Sequence, residues 1–267
     1  MAVSIQNLRR VTADKPARIL IYGDPGKGKT TLASEFPSPV FLQTEDGTPG
    51  GVELVSFGQL QTYRDVMQAI GELYEQPHDF RTVVIDSISA FQKMIFAEVC
   101  ERGDEKGNRK KNIEDFGYGK GYVYAQRVVD EFVEALNILR TVRGMTIVLI
   151  AHSRVERFDD PESVSYDRYE IDLHAKLVGA IEREMDAILL VKSNVEVKTE
   201  EQGFNRERAR GTGGAAIWIH TTGKPAYVAK NRYGMPEKFL FKTGEGYAAL
   251  APFLPKITQP APVEAAA

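Results

Sequence analysis

The sequence has few of the residues from which covalent cross-links and metal centres are built. Cys100 is the single cysteine, which excludes an intramolecular disulfide and a multi-cysteine zinc site. The 4 histidines stand without ligand spacing, so we expect no histidine metal cluster. Apolar runs such as 145–151 are too short to cross a bilayer, and residues 1–10 carry no apolar core of a secretory signal. We therefore expect a cytoplasmic protein with no membrane partner.

The chain also lacks an excess of charge of either sign. Lys and Arg sum to 34 and Asp and Glu to 37, so the formal net charge is −3. This balance excludes a histone-like polycation that would hold nucleic acid by its overall charge. Hydrophobic residues make up 43% and charged residues 27%, which is typical of a folded domain with an ordinary core. Recognition of an anion would therefore depend on local clusters of basic residues.

Short apolar runs alternate with amphipathic segments over the first two thirds of the chain. Consecutive apolar positions rich in Val, Ile and Leu are typical of strands buried on both faces of a parallel sheet. The alternation predicts an α/β fold, with helices around a mainly parallel sheet and ligands at the carboxyl ends of its strands. Shorter β-like runs separated by turns follow residue 191 and predict antiparallel hairpins. The predicted strands are 18–22, 40–43, 82–85, 145–151 and 187–191, followed by 215–220, 226–229 and 238–241.

The domain organisation is predicted to be simple. We find no internal repeat, and no Pro- or Gly-rich linker divides the core. Residues 1–16 form an N-terminal extension and residues 17–250 one domain. Residues 251–267 are rich in Pro and Ala and are predicted to form a flexible tail.

A complete phosphate-binding motif follows the first predicted strand. Residues 23–30 read GDPGKGKT, which matches G-x-x-x-x-G-K-[ST], and a helical stretch is predicted over 31–36. The glycines let successive backbone N–H groups converge on phosphate oxygens at the start of a helix. Lys29 is predicted to reach the β- and γ-phosphates of ATP, and Thr30 to ligate Mg²⁺. The predicted ATP-binding residues are Gly23, Asp24, Pro25, Gly26, Lys27, Gly28, Lys29, Thr30 and Thr31.

Two carboxylates follow other predicted strands. Asp86 ends the run TVVID and is predicted to hold Mg²⁺, although an aspartate here could also cap the helix that begins at Ser87. Hydrolysis further needs a base that polarises water in line with the γ-phosphate. Glu45 follows the strand 40–43 and would serve if that strand lay beside the phosphate-loop strand. The alternative is that Glu45 is an ordinary loop acid, like Asp46 beside it.

At this point the chain resembles the RecA-like P-loop NTPases, whose phage-encoded members are compact recombinases and single-strand annealing ATPases. The resemblance implies the RecA-like α/β fold, a catalytic role for Glu45, and a γ-phosphate sensor at His152, where bacterial recombinases have glutamine. It also implies that Lys230 and Arg232 contact ATP held by a neighbouring subunit. The alternative for this pair is a solvated hairpin edge. The resemblance spans 16–246 and rests on segments 23–30, 43–45, 84–87, 149–154 and 228–232.

Three stretches are candidates for contact with single-stranded DNA, the third being 198–210 with Arg206, Arg208 and Arg210. Residues 102–111 carry 5 basic residues against 2 acids, and aromatic and glycine residues follow, a combination suited to phosphate contact and base stacking. The alternative is a polar loop without a ligand. The resemblance places a second DNA loop at 154–172, but this stretch has 3 arginines against 7 acids, which disfavours phosphate. The predicted DNA-binding residues are Arg109, Lys110, Lys111, Tyr118, Lys120, Arg154 and Arg157.

Together these features predict an ATP-dependent recombination protein that binds single-stranded DNA and promotes annealing or strand exchange. It would hydrolyse ATP with Mg²⁺ at the subunit interfaces of a homo-oligomeric ring or filament, in the host cytoplasm if phage-encoded. A single-strand-binding protein is a further candidate partner. The alternatives are a ring helicase motor or helicase loader, a small-molecule kinase, and a slow nucleotide-dependent scaffold.

Overall fold

The computed structural model describes the backbone of residues 15–202 and 206–256, and the side chains of 15–193 and 216–256. Most of the predicted N-terminal extension and tail therefore lies outside the described residues. Strands and helices alternate through most of the described chain. The strands are β1 (Arg18–Gly23), β2 (Pro39–Gln43), β3 (Ser56–Gln59), β4 (Thr82–Asp86), β5 (Thr146–Phe158), β6 (Tyr166–Ile171), β7 (Ala187–Gln202), β8 (Arg206–His220), β9 (Lys230–Asn231) and β10 (Lys238–Phe241). The α-helices are α1 (Lys29–Ser34), α2 (Tyr63–Glu75), α3 (Ile88–Arg102), α4 (Lys120–Val142), α5 (Ala175–Glu184) and α6 (Gly246–Leu250).

One mainly parallel sheet organises these elements. Its strand order is β10-β8-β7-β1-β5-β4-β2-β3, with β6 paired to β5 and β9 paired to β7. The strands from β7 to β3 in this order are parallel, whereas β6, β8, β9 and β10 pair antiparallel. The predicted α/β class, with a parallel sheet and C-terminal antiparallel strands, is confirmed.

The central strands are buried on both faces, which explains their unbroken apolar runs. In β1, Ile19 and Ile21 pack with side chains of α1 and α6 on one face of the sheet. Leu20 and Tyr22 face the other side and pack into the cluster formed with α2, α3, α4 and α5. Because successive strand residues point to opposite faces, each layer of helices requires its own set of apolar positions. None of the helices within the described ranges is long and apolar enough to span a membrane.

The strand order corrects one expectation from the sequence. Strand β2 does not lie beside the phosphate-loop strand, because β5 and β4 separate it from β1. Periodicity identifies buried strands but contains no information about which strands are neighbours. The short strand β3 was not predicted, and residues 226–229 contain isolated bridges instead of the predicted strand.

The boundaries around two predicted loops also differ from expectation. Strand β5 continues to Phe158 and forms an antiparallel hairpin with β6, where the sequence predicted a loop over 154–172. We call residues 153–171 the β5–β6 hairpin. Helix α1 begins at Lys29 rather than at residue 31, and α4 begins at Lys120 rather than near residue 122. The hairpin strands mix charged residues with apolar and aromatic ones but do not alternate strictly, so their high charge is typical of a loop.

A buried cluster of charged side chains lies at the amino end of the sheet. The carboxylate of Asp186, just before β7, contacts the guanidinium groups of Arg18 at 3.2 Å, Arg140 at 3.1 Å and Arg232 at 3.2 Å. Burial alone would raise the pKa of Asp186, but the contacts with Arg18 and Arg140 outweigh burial and hold it below its usual value. The cluster therefore holds the first residues of β1 and β7 together and positions Arg232 beside them.

Candidate functional site

The phosphate-binding motif forms a tight loop between β1 and α1. A Cβ atom at Gly23 would lie 2.1 Å from the carbonyl oxygen of Val191 on the neighbouring strand, so this position requires glycine. Gly28 is the N-cap of α1 with φ of 81°, and a Cβ there would lie 2.6 Å from the ring of Phe241. The loop is thus enclosed by β7 on one side and β10 on the other.

Lys29 is the buried cation of this loop. Its Nζ donates hydrogen bonds to the backbone carbonyls of Gly23 at 2.8 Å and Asp24 at 2.9 Å. Burial lowers the pKa of Lys29, while the nearby carboxylates of Asp86, Asp24 and Glu45 act in the opposite direction. A lysine held under the loop in this way is suited to the charge of bound phosphates.

Thr30 and Asp86 meet at the start of α1. The Oγ1 of Thr30 donates to Oδ2 of Asp86 at 2.8 Å, and burial raises the pKa of Asp86 above its usual value. Asp86 does not cap α3, because Ser87 is its N-cap and accepts a hydrogen bond from the N–H of Ala90. A hydroxyl and a carboxylate side by side are oxygen donors that fit Mg²⁺. Bound there, Mg²⁺ would supply charge neutralisation for the β- and γ-phosphates.

Glu45 reaches the same cleft although β2 is remote from β1. Thr44 donates its N–H to the carbonyl of Asp86 at 2.8 Å and its hydroxyl to the carbonyl of Ser87 at 2.6 Å, so the segment after β2 is held against the end of β4. The Glu45 carboxylate then contacts Nε2 of His152 at 2.9 Å. This hydrogen bond is the main cause that lowers the pKa of Glu45, and burial opposes it.

The cleft has a volume of about 450 Å³. It brings together most of the predicted phosphate-loop residues, both carboxylates and His152. Because β1, β4 and β5 are parallel, their carboxyl ends present these groups at one edge of the sheet. Its lining includes Pro25, Gly26, Gly28, Lys29, Thr30, Thr31, Glu45, Asp86 and His152.

Two cations of the predicted basic loop after α3 form salt bridges with nearby acids. Arg109 pairs with Glu101 at 2.8 Å, and Lys110 pairs with Asp104 at 3.0 Å. Tyr118 is fully exposed just before α4, which starts at Lys120. Lys111 is also exposed. The structure thus places these predicted DNA-binding residues between the end of α3 and the start of α4, but Arg109 is paired with an acid of α3 and Lys110 with an acid of the loop.

Arg154 and Arg157 lie on the β5–β6 hairpin, which borders a cleft of about 730 Å³ against α5 and residues 223–229. Arg154 pairs with Glu156 at 2.7 Å, whereas Arg157 has no carboxylate partner among the described side chains. Sequence reasoning missed that Lys224, from a distant turn, lines the same cleft as Arg168 of the hairpin. The charged lining residues are Arg154, Glu156, Arg157, Arg168, Glu170, Glu182 and Lys224.

Lys230 and Arg232 lie at the opposite end of the sheet from the phosphate loop. Lys230 pairs with Ile188, near the start of β7, and its Nζ donates to the carbonyl of Glu182 at 2.7 Å. Arg232 follows β9 and contacts Asp186, yet its side chain is 53% exposed. Neither residue reaches the phosphate loop of its own chain, because that loop follows the carboxyl end of β1.

The strand–loop–helix with its buried lysine, together with the Thr30–Asp86 pair, defines a P-loop NTPase-type domain. The profile of a protein family described as an AAA domain matches residues 15–233. The chain therefore belongs to this AAA domain family, and membership indicates nucleotide-dependent ATPase activity. No curated protein matches the chain.

The contact between His152 and Glu45 generates a prediction about pH. His152→Ala removes the donor that lowers the pKa of Glu45, so this pKa should rise and the acid limb of the ATPase rate profile should move to higher pH. His152→Gln retains a donor and should show a smaller shift. Asp46→Asn, which changes the exposed acid beside Glu45, is the control and should leave the acid limb in place. An unchanged acid limb in His152→Ala would contradict the assignment of Glu45 as the base.

Proposed function

We propose that the protein is a RecA-like ATPase that binds single-stranded DNA and promotes annealing or strand exchange. One observation carries the proposal: the strand that supplies His152 to the nucleotide cleft continues without a break into the β5–β6 hairpin and its arginines. Nucleotide and nucleic acid would then be bound at two parts of one strand. The AAA family match and the P-loop support the ATPase part of the proposal.

In the proposed reaction, Glu45 polarises a water molecule for attack on the γ-phosphate of ATP. Lys29 and the backbone N–H groups of the phosphate loop hold the β- and γ-phosphates, and Thr30 with Asp86 would hold Mg²⁺. His152 keeps Glu45 ionised by donating to its carboxylate. A base that is ionised and oriented before ATP binds needs no rearrangement during hydrolysis.

The β5–β6 hairpin is the better candidate for nucleic acid, despite its excess of acids. Arg154 and Arg168 pair with acids of the hairpin itself, whereas Arg157 makes no carboxylate contact among the described side chains, so its guanidinium is free to contact a phosphate. Phe158 and Tyr166 stand opposite one another with ring centroids 5.6 Å apart, and they offer aromatic surface for base stacking. Exposed Tyr118 and Lys111 in the loop after α3 form a second candidate contact.

The position of Lys230 and Arg232 favours an active site shared between subunits. Both residues are remote from their own phosphate loop, and Arg232 keeps an exposed guanidinium although it contacts Asp186. In a head-to-tail ring or filament, the amino end of one sheet can face the carboxyl end of the next. An arginine supplied in this way would neutralise charge that develops on the γ-phosphate of the neighbour.

The nucleic-acid contact can be tested by charge reversal. Arg157→Glu should weaken binding to an oligothymidylate about tenfold or more and should reduce the slope of log affinity against log salt by about one or two. Lys111→Glu tests the loop after α3 in the same assay. The control is Arg64→Glu, an exposed arginine on α2. Binding measured by fluorescence anisotropy that is unchanged in both Arg157→Glu and Lys111→Glu would contradict the proposed DNA contacts.

The shared active site predicts complementation between two inactive variants. Glu45→Gln removes the proposed base, and Arg232→Ala removes the proposed contact to the neighbour, so each alone should hydrolyse little ATP. Mixed oligomers should regain activity, because an Arg232→Ala subunit keeps Glu45 and can receive the arginine of a Glu45→Gln neighbour. Asp186 keeps its contacts with Arg18 and Arg140 in Arg232→Ala, so the fold should persist. Absence of recovery in oligomers of verified mixed composition would contradict the shared site.

A further inference from the structure

The Asp24 side chain links the phosphate loop to a strand that the motif does not include. Its carboxylate accepts a hydrogen bond from the hydroxyl of Ser153. Ser153 follows His152 in β5 and pairs with Ile171 of β6, so it forms the base of the β5–β6 hairpin. Because successive strand residues face opposite sides, β5 contacts the nucleotide cleft through His152 on one face and the phosphate loop through Ser153 on the other.

Lys192 lies on β7, the other neighbour of β1. Its Nζ lies 4.8 Å from the centroid of the Tyr169 ring and 5.7 Å from that of Tyr227, a cation–π arrangement. Burial lowers the pKa of Lys192, and the charge of Asp24 opposes this shift. Tyr169 belongs to β6, so the lysine is held partly by the hairpin.

Among the side chains that the structure describes, Asp24 is the acid whose charge acts on Lys192. His220 of β8 shares Tyr227 with Lys192, since its Nδ1 is bonded to the Tyr227 hydroxyl at 3.1 Å. Burial, together with Lys192 and two further lysines, lowers the pKa of His220 to about 4, so the ring is neutral near pH 7. Among the described side chains, Lys192 therefore lies against the rings of Tyr169 and Tyr227, and a neutral imidazole is bonded to Tyr227.

We propose that Ser153 is a positioning residue that holds Asp24, and that it transmits the position of the β5–β6 hairpin to the phosphate loop. The backbone N–H groups of that loop must converge on the phosphates, so fixing Asp24 prepares the loop for nucleotide. A ligand that shifts the hairpin would move Ser153 and Tyr169 together. The identity of this ligand as single-stranded DNA rests on the proposed function, whereas the positioning role does not.

The positioning role is tested by nucleotide affinity without DNA. Ser153→Ala should raise the Kd for a fluorescent ATP analogue with Mg²⁺ by about 5- to 20-fold, because the hydrogen bond to the charged Asp24 is lost. Lys192→Met removes a nearby charge but no hydrogen bond to Asp24, so its effect should be smaller. Ser153→Thr keeps a hydroxyl and should retain most of the affinity. The controls are Ser163→Ala at the exposed end of the hairpin and Lys93→Met on the surface of α3. Circular dichroism and urea unfolding verify that each variant is folded.

The transmission is tested by repeating the titration with saturating oligothymidylate. In the unmodified protein the oligonucleotide should change the Kd of the nucleotide, and the nucleotide should change that of the oligonucleotide by the same factor. Ser153→Ala should bind both ligands but lose this mutual effect.

The outcomes separate the two proposals. Unchanged nucleotide affinity in Ser153→Ala would overturn the positioning role, whatever happens with DNA. A mutual effect that persists in Ser153→Ala, or is absent from the unmodified protein although it binds the oligonucleotide, would overturn the transmission. No binding of oligonucleotide by the unmodified protein would instead contradict the proposed function, and the nucleotide titration would still decide the positioning role.

Discussion

The parallel pairing of β1 with β5 is the constraint on which the rest of the site depends. Its register sets Gly23, the first residue of the phosphate loop, opposite His152. All parallel strands end at the same edge, so β4 adds Asp86 beside Thr30, and the segment after β2 adds Glu45 beside His152. Strand β5 then continues as the hairpin. Sliding β5 by one residue would exchange His152 and Ser153 between the two faces of the sheet and separate Glu45 from its donor.

Two groups of charged side chains lie at opposite ends of the sheet. Carboxylates and Lys29 meet at the carboxyl end, while Asp186 gathers three arginines at the amino end. The net charge of −3 is an average over these local groups and over the basic and acidic stretches of the sequence. The overall charge therefore excludes only a polycation. Binding of an anion depends instead on basic side chains whose charge is not balanced by neighbouring acids.

Sequence reasoning identified the local features of the site and missed those that depend on strand order. The phosphate loop and Asp86 could be predicted, because a motif between a strand and a helix, and a carboxylate at a strand end, are local in sequence. That β4 and β5 separate β2 from β1 could not be predicted, since periodicity does not encode neighbours. The contact of Ser153 with Asp24 joins residues 129 positions apart, and no pattern in the sequence relates them. Lys192 was missed because it follows the apolar run 187–191 of β7 and belongs to no known motif.

The central claim is that the nucleotide cleft and the β5–β6 hairpin act together. The most direct measurement is the steady-state rate of phosphate release from ATP with Mg²⁺, with and without single-stranded DNA, alongside an assay for transfer to nucleoside monophosphates. We predict that single-stranded DNA increases the rate and that all phosphate is released to water. A rate independent of DNA, together with phosphate transfer to a nucleoside monophosphate, would contradict the account.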